Sequence, residues 1–500
     1  MSELEEAQWR HRRDLLPEGD PLLLALEELA ARPRTHTLRE VRLIDPLTGD
    51  PGPVEDLEVT DGAYVTRPSP RRGSGPWRPE RERPCAWYAV SGFVDAHAHV
   101  SSLADLVGLL VHGVTACRQL WGEPAHLMAV GARRARHVVL PRLWVTAGVI
   151  DGPCTRLPKA VTVVDDERAV RRVIEETAAF GFDGVKVYDD METDVFDRLL
   201  DAADEAGVPV VGHAPERVGF ATAARRMRTS EHLYGAVPNV FRLPADRRWP
   251  ALADALAGPG VAERAAALST ALAESGRRRH LICPTLVCWR ARSGERRHTR
   301  PSRAALAAAT PSRRRAWQHA AREALGLAPE EARRRGGTVD RLGELVARTD
   351  NIAGRLLVGT DCGNPFVLAG PSFHKELAEL ERAGLDFPAL LRAATVNAYR
   401  ATAPLPPPSA PAAGAAPPSS PDLVLYRRPP GGRAAGLARP DAVLIDGVLL
   451  DGADLDRLWA LRLAGSGLDA SVWPRGELDP PVSGDRPTKE GVALAGRRIS

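Results

Sequence analysis

The stretch AVSGFVDAHAHV, residues 89–100, runs from small and apolar residues into Asp95, His97 and His99. On a strand, side chains alternate with period two, so these three share a face while Ala96 and Ala98 point the other way. A buried strand does not ordinarily end in three polar side chains at that spacing. His97 and His99 stand about 6.6 Å apart along such a strand, close enough to hold one ion. Imidazole and carboxylate suit zinc, iron, nickel or manganese better than calcium or magnesium. Asp95 is read as orienting a histidine from behind rather than binding the metal.

The same rhythm of apolar strand, polar turn and helical stretch continues downstream. The strand candidates are SGFVDAHAH (91–99), GVTACRQL (113–120), RLWVTAGVI (142–150) and GVKVYD (184–189). They continue with VPVVGHA (208–214), TSEHLYG (229–235), HLICPTLV (280–287) and RLLVGTDC (355–362). Eight strands alternating with amphipathic helices predict an α/β chain folded as a (β/α)8 TIM barrel. A doubly wound sheet is disfavoured, because no Gly-rich phosphate loop follows a strand.

The expected organisation is a helical extension over 1–37 and a barrel over 91–400. Residues 38–90 and 421–450 are read as a small β-sandwich domain built from both chain ends. The Pro/Ala-rich stretch 401–420 reads as a linker, and 451–500 as a helix with a poorly ordered tail.

Composition excludes some classes. The chain has 500 residues and a formal net charge of +3, too balanced to predict a nucleic-acid partner. No apolar run is long enough to span a bilayer, and the first residues show no secretory signal. The six cysteines form no C-x-x-C pair and read as reduced thiols, which predicts a cytoplasmic protein. The basic stretch 290–315 lacks interleaved aromatics and is read as a solvated helical face or a lid.

In a barrel the chemistry collects at the C-terminal strand ends. Those ends carry His97 and His99, Lys186, His213, His232 and Asp361. Lysine is rare here, at 159, 186, 375 and 489 only. Beside a dication, Lys186 has two sensible states. It pairs with Asp183, Asp189 or Asp190, or its neutral amine takes up carbon dioxide as a carbamate, which arginine cannot do. Singly, each residue has a bland reading as an ion-pair partner, turn cap or core histidine; Asp361 could close an Asx-turn. Their joint occurrence at successive strand ends argues for a site. Tyr188, Tyr234, Asn364 and Cys154 follow strands and could line a substrate pocket. His374 could reach its mouth, and the other histidines are read as structural.

The motifs GFVDAHAHV, GVTACRQL, DGVKVYDD, VGHA, SEHLYG, CPTLV, VGTDCGNP and LRAATVNAYR, in that order, resemble the amidohydrolase superfamily. The likeness is to its imidazolonepropionase-like and prolidase-like branch and spans about residues 38–450. It implies that His97, His99 and Asp361 hold one divalent metal, His213 and His232 a second, with carboxylated Lys186 bridging a binuclear centre, and zinc is the expected metal. It also implies metal-activated water and Asp361 as the proton-transferring catalytic residue. The expected activity is hydrolysis of a C–N bond in an amide, dipeptide or cyclic amide. The alternatives are a mononuclear deaminase without need of Lys186, or a catalytically silent metal-binding scaffold. The expected partner is a small amide-type substrate, with no nucleic acid or membrane, and a homo-oligomer stays open. Two departures stand out: Ser91 replaces a family proline, and the Pro/Ala tract replaces a Gly-rich lead-in before Asp422.

Overall fold

Two sheets organise the chain, one made from both ends and one from the middle. The computed structural model describes residues 19–464 apart from 70–84, 122–137, 156, 158–160, 234–235, 238–247, 258–259, 277–279, 300–305, 307–308, 310 and 403–420. In chain order, β1 (Thr35–Ile44), β2 (Pro51–Thr60), β3 (Ala63–Pro68) and β4 (Trp87–Ser91) precede β5 (Phe93–Ala98). Then come β6 (Val114–Gln119), β7 (Arg142–Asp151), β8 (Thr162–Val163), β9 (Gly184–Val187) and β10 (Val210–Gly212). The series ends with β11 (Thr229–Glu231), β12 (Leu281–Cys283), β13 (Leu423–Tyr426), β14 (Ala442–Ile445) and β15 (Val448–Leu450).

The middle sheet is parallel, in the order β5-β6-β7-β9-β10-β11-β12, with β8 appended to β7. Apart from β7 and the appended β8, its strands are short and buried throughout, as expected where helices cover a parallel sheet. The helix Glu167–Ala179 starts on an Asp166 side chain that accepts from Ala169 N, and it turns Val170, Val173 and Ile174 inward. The helix Thr193–Ala206 stops at Gly207, whose φ of 67° suits a residue without Cβ.

Seven strands, not the expected eight, form this nearly closed barrel. Residues 355–362 still join its two edges, but by isolated bridges, Ile282 to Leu356 and Ala98 to Cys362. Ala96 N donates to Val358 O at 2.8 Å and Leu357 N to Ile282 O at 2.8 Å. The ladder breaks because Asp361 is left-handed, at φ 58°. A Cβ on Gly359 would collide with Cys283 Sγ and come within 2.9 Å of His97 N. The segment is therefore pressed against β5 rather than paired regularly with it.

The expected β-sandwich is replaced by one continuous seven-stranded sheet, β15-β14-β13-β4-β1-β2-β3. It does draw on both chain ends: β4 runs parallel to β1 and antiparallel to β13. Leu38, Val41, Leu57, Ala89, Leu425 and Leu444 share an apolar cluster on it. Hydrogen bonding carries straight across from β4 to β13, so the two ends extend one sheet instead of stacking two.

The helix Pro21–Ala30 buries Leu22, Leu26 and Leu29 against the main core. Arg32 ties it to the helix Gly452–Ala464 through both oxygens of Asp454, at 2.6 and 2.7 Å. The linker and tail expected over 401–420 and 451–500 fall largely outside the described residues. No helix among the described residues is long and apolar enough to cross a membrane.

Candidate metal centre

The end of β5 and the kinked segment 359–362 bring the first three groups together. His97 N-terminal neighbours are buried along the whole strand, and His97 itself is fully buried. His97 Nε2 lies 3.5 Å and His99 Nε2 2.9 Å from the same oxygen, Asp361 Oδ1. Asp361 N donates to His97 O at 2.7 Å, which locks the strained turn under the imidazoles. A left-handed aspartate is uncommon and is kept where surrounding contacts over-determine it. The ligand-type atoms of His97, His99 and Asp361 all lie within 4.8 Å of one another.

The remaining candidates close the ring. His232, just past β11, is also left-handed at φ 58°. Its ring centroid is 4.4 Å from that of His97 and 5.2 Å from that of His213. His232 Nδ1 is 2.7 Å from Thr285 Oγ1 and 3.7 Å from Asp361 Oδ2. His213 Nδ1 donates to Asp189 Oδ1 at 2.7 Å, and its ring stacks on Tyr188. Lys186, in the middle of β9, is buried with Nζ 3.3 Å from His97 Nε2.

The electrostatics favour cation ligation. Burial, aided by the neighbouring Lys186 charge, pushes His97 well below the usual imidazole range. Burial does the same to His232. Burial also lowers the Lys186 ammonium, although Asp361 and Glu231 oppose this. For Asp361 burial acts upward, but the imidazoles of His232, His99 and His97 outweigh it and hold the carboxyl well below its usual range. Neutral imidazoles beside an ionised carboxylate are the protonation states in which these groups bind metals. The residues therefore fit one or more transition-metal ions by donor type, by convergence and by charge.

Several expectations need correcting. Asp95 does not touch an imidazole. It accepts from Thr360 Oγ1 at 2.6 Å, Thr360 N at 3.0 Å and His97 N at 3.2 Å, so it holds the backbone that presents His97 and Asp361. Burial pushes its carboxyl up to about 7. The carboxylate that meets His97 is Glu231, whose Oε2 accepts from Nδ1 at 2.8 Å. Lys186 does not pair with the three aspartates considered for it. Asp183 accepts from Val145 N, Asp189 from His213, and Asp190 from Cys154 N.

Asn364 closes a turn: its Nδ2 donates to Asp361 O at 3.0 Å, and its Oδ1 accepts from Arg292 at 2.5 Å. Tyr234 lies outside the described residues. His374 is not at the mouth; it donates from Nε2 to His112 O at 2.9 Å and packs against Phe93 and Phe373.

The basic stretch is a solvated face only in part: Arg292, Arg296, Arg297 and Arg315 are exposed, but two of its arginines are held by the fold. Arg290 is buried between Glu379 at 2.9 Å, Glu295 at 3.2 Å and Asp340. Arg313, on the helix Pro311–Leu325, grips Asp105 at 2.8 Å and donates to His99 O at 2.6 Å. The same helix buries Trp317 against Phe366. It is fastened to the loop that carries the candidate ligand His99.

Sequence reasoning missed Glu231, Arg118, Thr360 and Cys288. Arg118 and Glu231 left a signal: opposite charges inside the strand segments GVTACRQL and TSEHLYG, at positions that a barrel buries. Cys288 left none. The expected strand 280–287 is only β12, and Thr285, at φ 49°, turns the chain into the helix Leu286–Ala291. That turn places the Cys288 thiol as a donor to Asp361 Oδ2 at 3.2 Å.

No family model matches the chain, and no curated protein matches it. Among solved structures, it is similar to a bottromycin amidohydrolase at 58% identity, over 95% of this chain and 100% of that one, with a TM-score of 0.80. It shares its fold with a structure described as a putative prolidase from Bifidobacterium longum, at 17% identity and TM-score 0.55, over 86% of this chain and 98% of that one. A Xaa-Pro dipeptidase with bound methionine is similar at 13% identity and TM-score 0.57, over 84% of this chain and 100% of that one.

Proposed function

The chain belongs to the amidohydrolase superfamily, and we propose that it is a zinc-dependent hydrolase cleaving an amide bond of a bottromycin-type or other small peptide-like substrate. Hydrolysis of an amide or peptide bond follows from the family. The 58% identity over nearly the whole chain supports the substrate class. The observation that carries the metal reading is the convergence of His97 and His99 on one oxygen of Asp361, at 3.5 and 2.9 Å.

His97, His99 and Asp361 would hold one cation, and His213 and His232 a second, with Lys186 between them as a carbamate. The carbamate forms when the neutral Nζ attacks carbon dioxide; an N–C bond is made and one N–H proton leaves to solvent. Bound transition metals supply an activated water and a polarised substrate carbonyl. Asp361 takes the proton that the attacking water gives up and returns it to the leaving nitrogen. Asp189 and Thr285 hold the His213 and His232 rings at Nδ1. Tyr188, stacked on His213, would line the substrate side. The substrate is read as a small molecule met in the cytoplasm, without nucleic-acid or membrane partners.

One observation favours a single-metal centre instead: His213 and His232 do not join the compact group of His97, His99 and Asp361 among the described residues. Metal analysis of protein purified without chelators separates the readings. About two equivalents of zinc support the binuclear centre and about one the mononuclear. Less than about half an equivalent sinks both, given how tightly preformed sites of this donor set bind.

A further inference from the structure

Three imidazoles of the cluster are held at Nδ1 by different partners. His213 uses Asp189 and His232 uses a hydroxyl, Thr285. His97, the ring at the centre, uses Glu231, which is fully buried inside the barrel. The two carboxylate oxygens of Glu231 do different work. Oε2 accepts from His97 Nδ1 at 2.8 Å, while Oε1 accepts from Thr229 Oγ1 at 2.5 Å. Arg118 Nη2 in turn donates to Thr229 Oγ1 at 2.9 Å and lies 3.5 Å from Glu231 Oε1. Three strands, β6, β11 and β5, thus contribute one connected line: Arg118, Thr229, Glu231, His97.

Arg118 is not placed as a stability-driven ion pair would be. Its Nε and Nη1 are buried with no hydrogen-bond partner among the described residues. Arg290, another deeply buried arginine, shows what a fully engaged guanidinium looks like. It meets Glu379, Glu295, Asp340 and Gly336 O with its Nε, Nη1 and Nη2. Leaving guanidinium donors unmet in a barrel interior is unfavourable. The engaged nitrogen of Arg118, Nη2, is the one that reaches Thr229 and Glu231.

We propose that Glu231, held by Thr229 and Arg118, is the positioning residue that puts the His97 proton on Nδ1 and aims Nε2 at the metal. The inference rests on the metal reading above. A carboxylate behind a ligating imidazole sets its tautomer, its orientation and its basicity. Glu231 and Cys283 could instead ligate a metal through His97, since their ligand atoms lie within 4.8 Å of one another. Against that, both Glu231 oxygens are occupied, and burial drives the Cys283 thiol well above its usual pKa, leaving it protonated.

The test measures zinc affinity of the full chain by competition with a chromophoric chelator. The variants are Glu231→Gln and Thr229→Val, and thermal unfolding of the metal-free proteins is followed in parallel. Glu231→Gln should weaken zinc binding about 10–100-fold. Thr229→Val, which keeps the charges and nearly the shape, should weaken it less. In both, excess zinc should restore kcat at unchanged KM. Wild-type affinity in both variants overturns the proposal, as does a loss confined to metal-free stability. If Glu231→Gln does not fold, Thr229→Val decides alone. A wild-type chain that takes up no zinc refutes the metal reading, a result distinct from wild-type uptake with indifferent variants.

Discussion

The histidines around Asp361 and the histidines His112, His280 and His374 are buried in the same barrel fold, yet they touch different things. In the second group His112 Nδ1 pairs with Gly108 O at 2.8 Å, and His374 Nε2 with His112 O at 2.9 Å. His280 spans Met227 O and Ser230 Oγ at 2.8 and 2.9 Å. Their rings lie against Phe93, Phe373, Trp459 and Phe220. Burial lowers the imidazole pKa in both groups, to about 4 for His280 and His374. Burial and a depressed pKa therefore do not mark the site. What marks it is that four rings lie against one another and three of them meet a shared carboxylate, on backbone that is strained to bring them there.

The sharpest way to break this comparison is Asp361→Asn. It should lower kcat by about 10³-fold or more, since on the proposed mechanism it removes both a ligand and the group that carries the proton. It should also reduce zinc content, while leaving the fold intact by circular dichroism. Retention of a tenth of the activity would contradict the role given to Asp361.

Lys186→Ala comes next. On the binuclear reading, zinc content falls from about two equivalents to about one and turnover drops at least about 100-fold. Full activity with unchanged metal content would identify Lys186 as a bystander and the centre as mononuclear.

Acid should act through the other group. His280 and His374 titrate near 4 when folded and near 6.5 when unfolded. The unfolded chain then binds more protons between those values, so stability falls as the pH drops from about 6.5 to about 4. Each histidine accounts for roughly 3 kcal/mol across that window. Urea unfolding at several pH values, for the wild type and for His374→Phe, reads this directly; a flat wild-type profile would count against it. His374→Phe should leave zinc content and kcat unchanged, which is the comparison's mirror test.

The smallest effect is expected from Arg313→Ala. It frees the helix Pro311–Leu325 from Asp105 and His99 O, and it should raise KM several-fold with a kcat change of less than about tenfold. An unchanged KM would reduce the helix to a structural cover.

Much of this was legible in the sequence for a simple reason. Period-two alternation put His97 and His99 on one face, and chain order put Lys186, His213, His232 and Asp361 at later strand ends. The less legible parts depend on strand neighbours and backbone kinks. Glu231 was obscured because it adjoins His232, and alternation would send adjacent residues to opposite faces. Both reach the site because β11 ends at Glu231 and His232 is left-handed. Asp95 was placed behind a histidine by proximity in sequence, but its oxygens are taken by Thr360, a residue 265 positions away. The eighth strand read well as an apolar run. Its pairing failed because Gly359 and Asp361 bend it onto β5.

By itself, then, the sequence determined the barrel class, the family likeness and the set of ligand-type side chains, because these follow from local periodicity and order along the chain. Only the tertiary structure decided which carboxylate backs His97, that Cys288 meets Asp361, and that a distant arginine helix is fastened to the loop that carries His99. Those are contacts between strands and insertions remote in sequence, chosen by how closely the backbones approach and which buried polar groups must find a partner there.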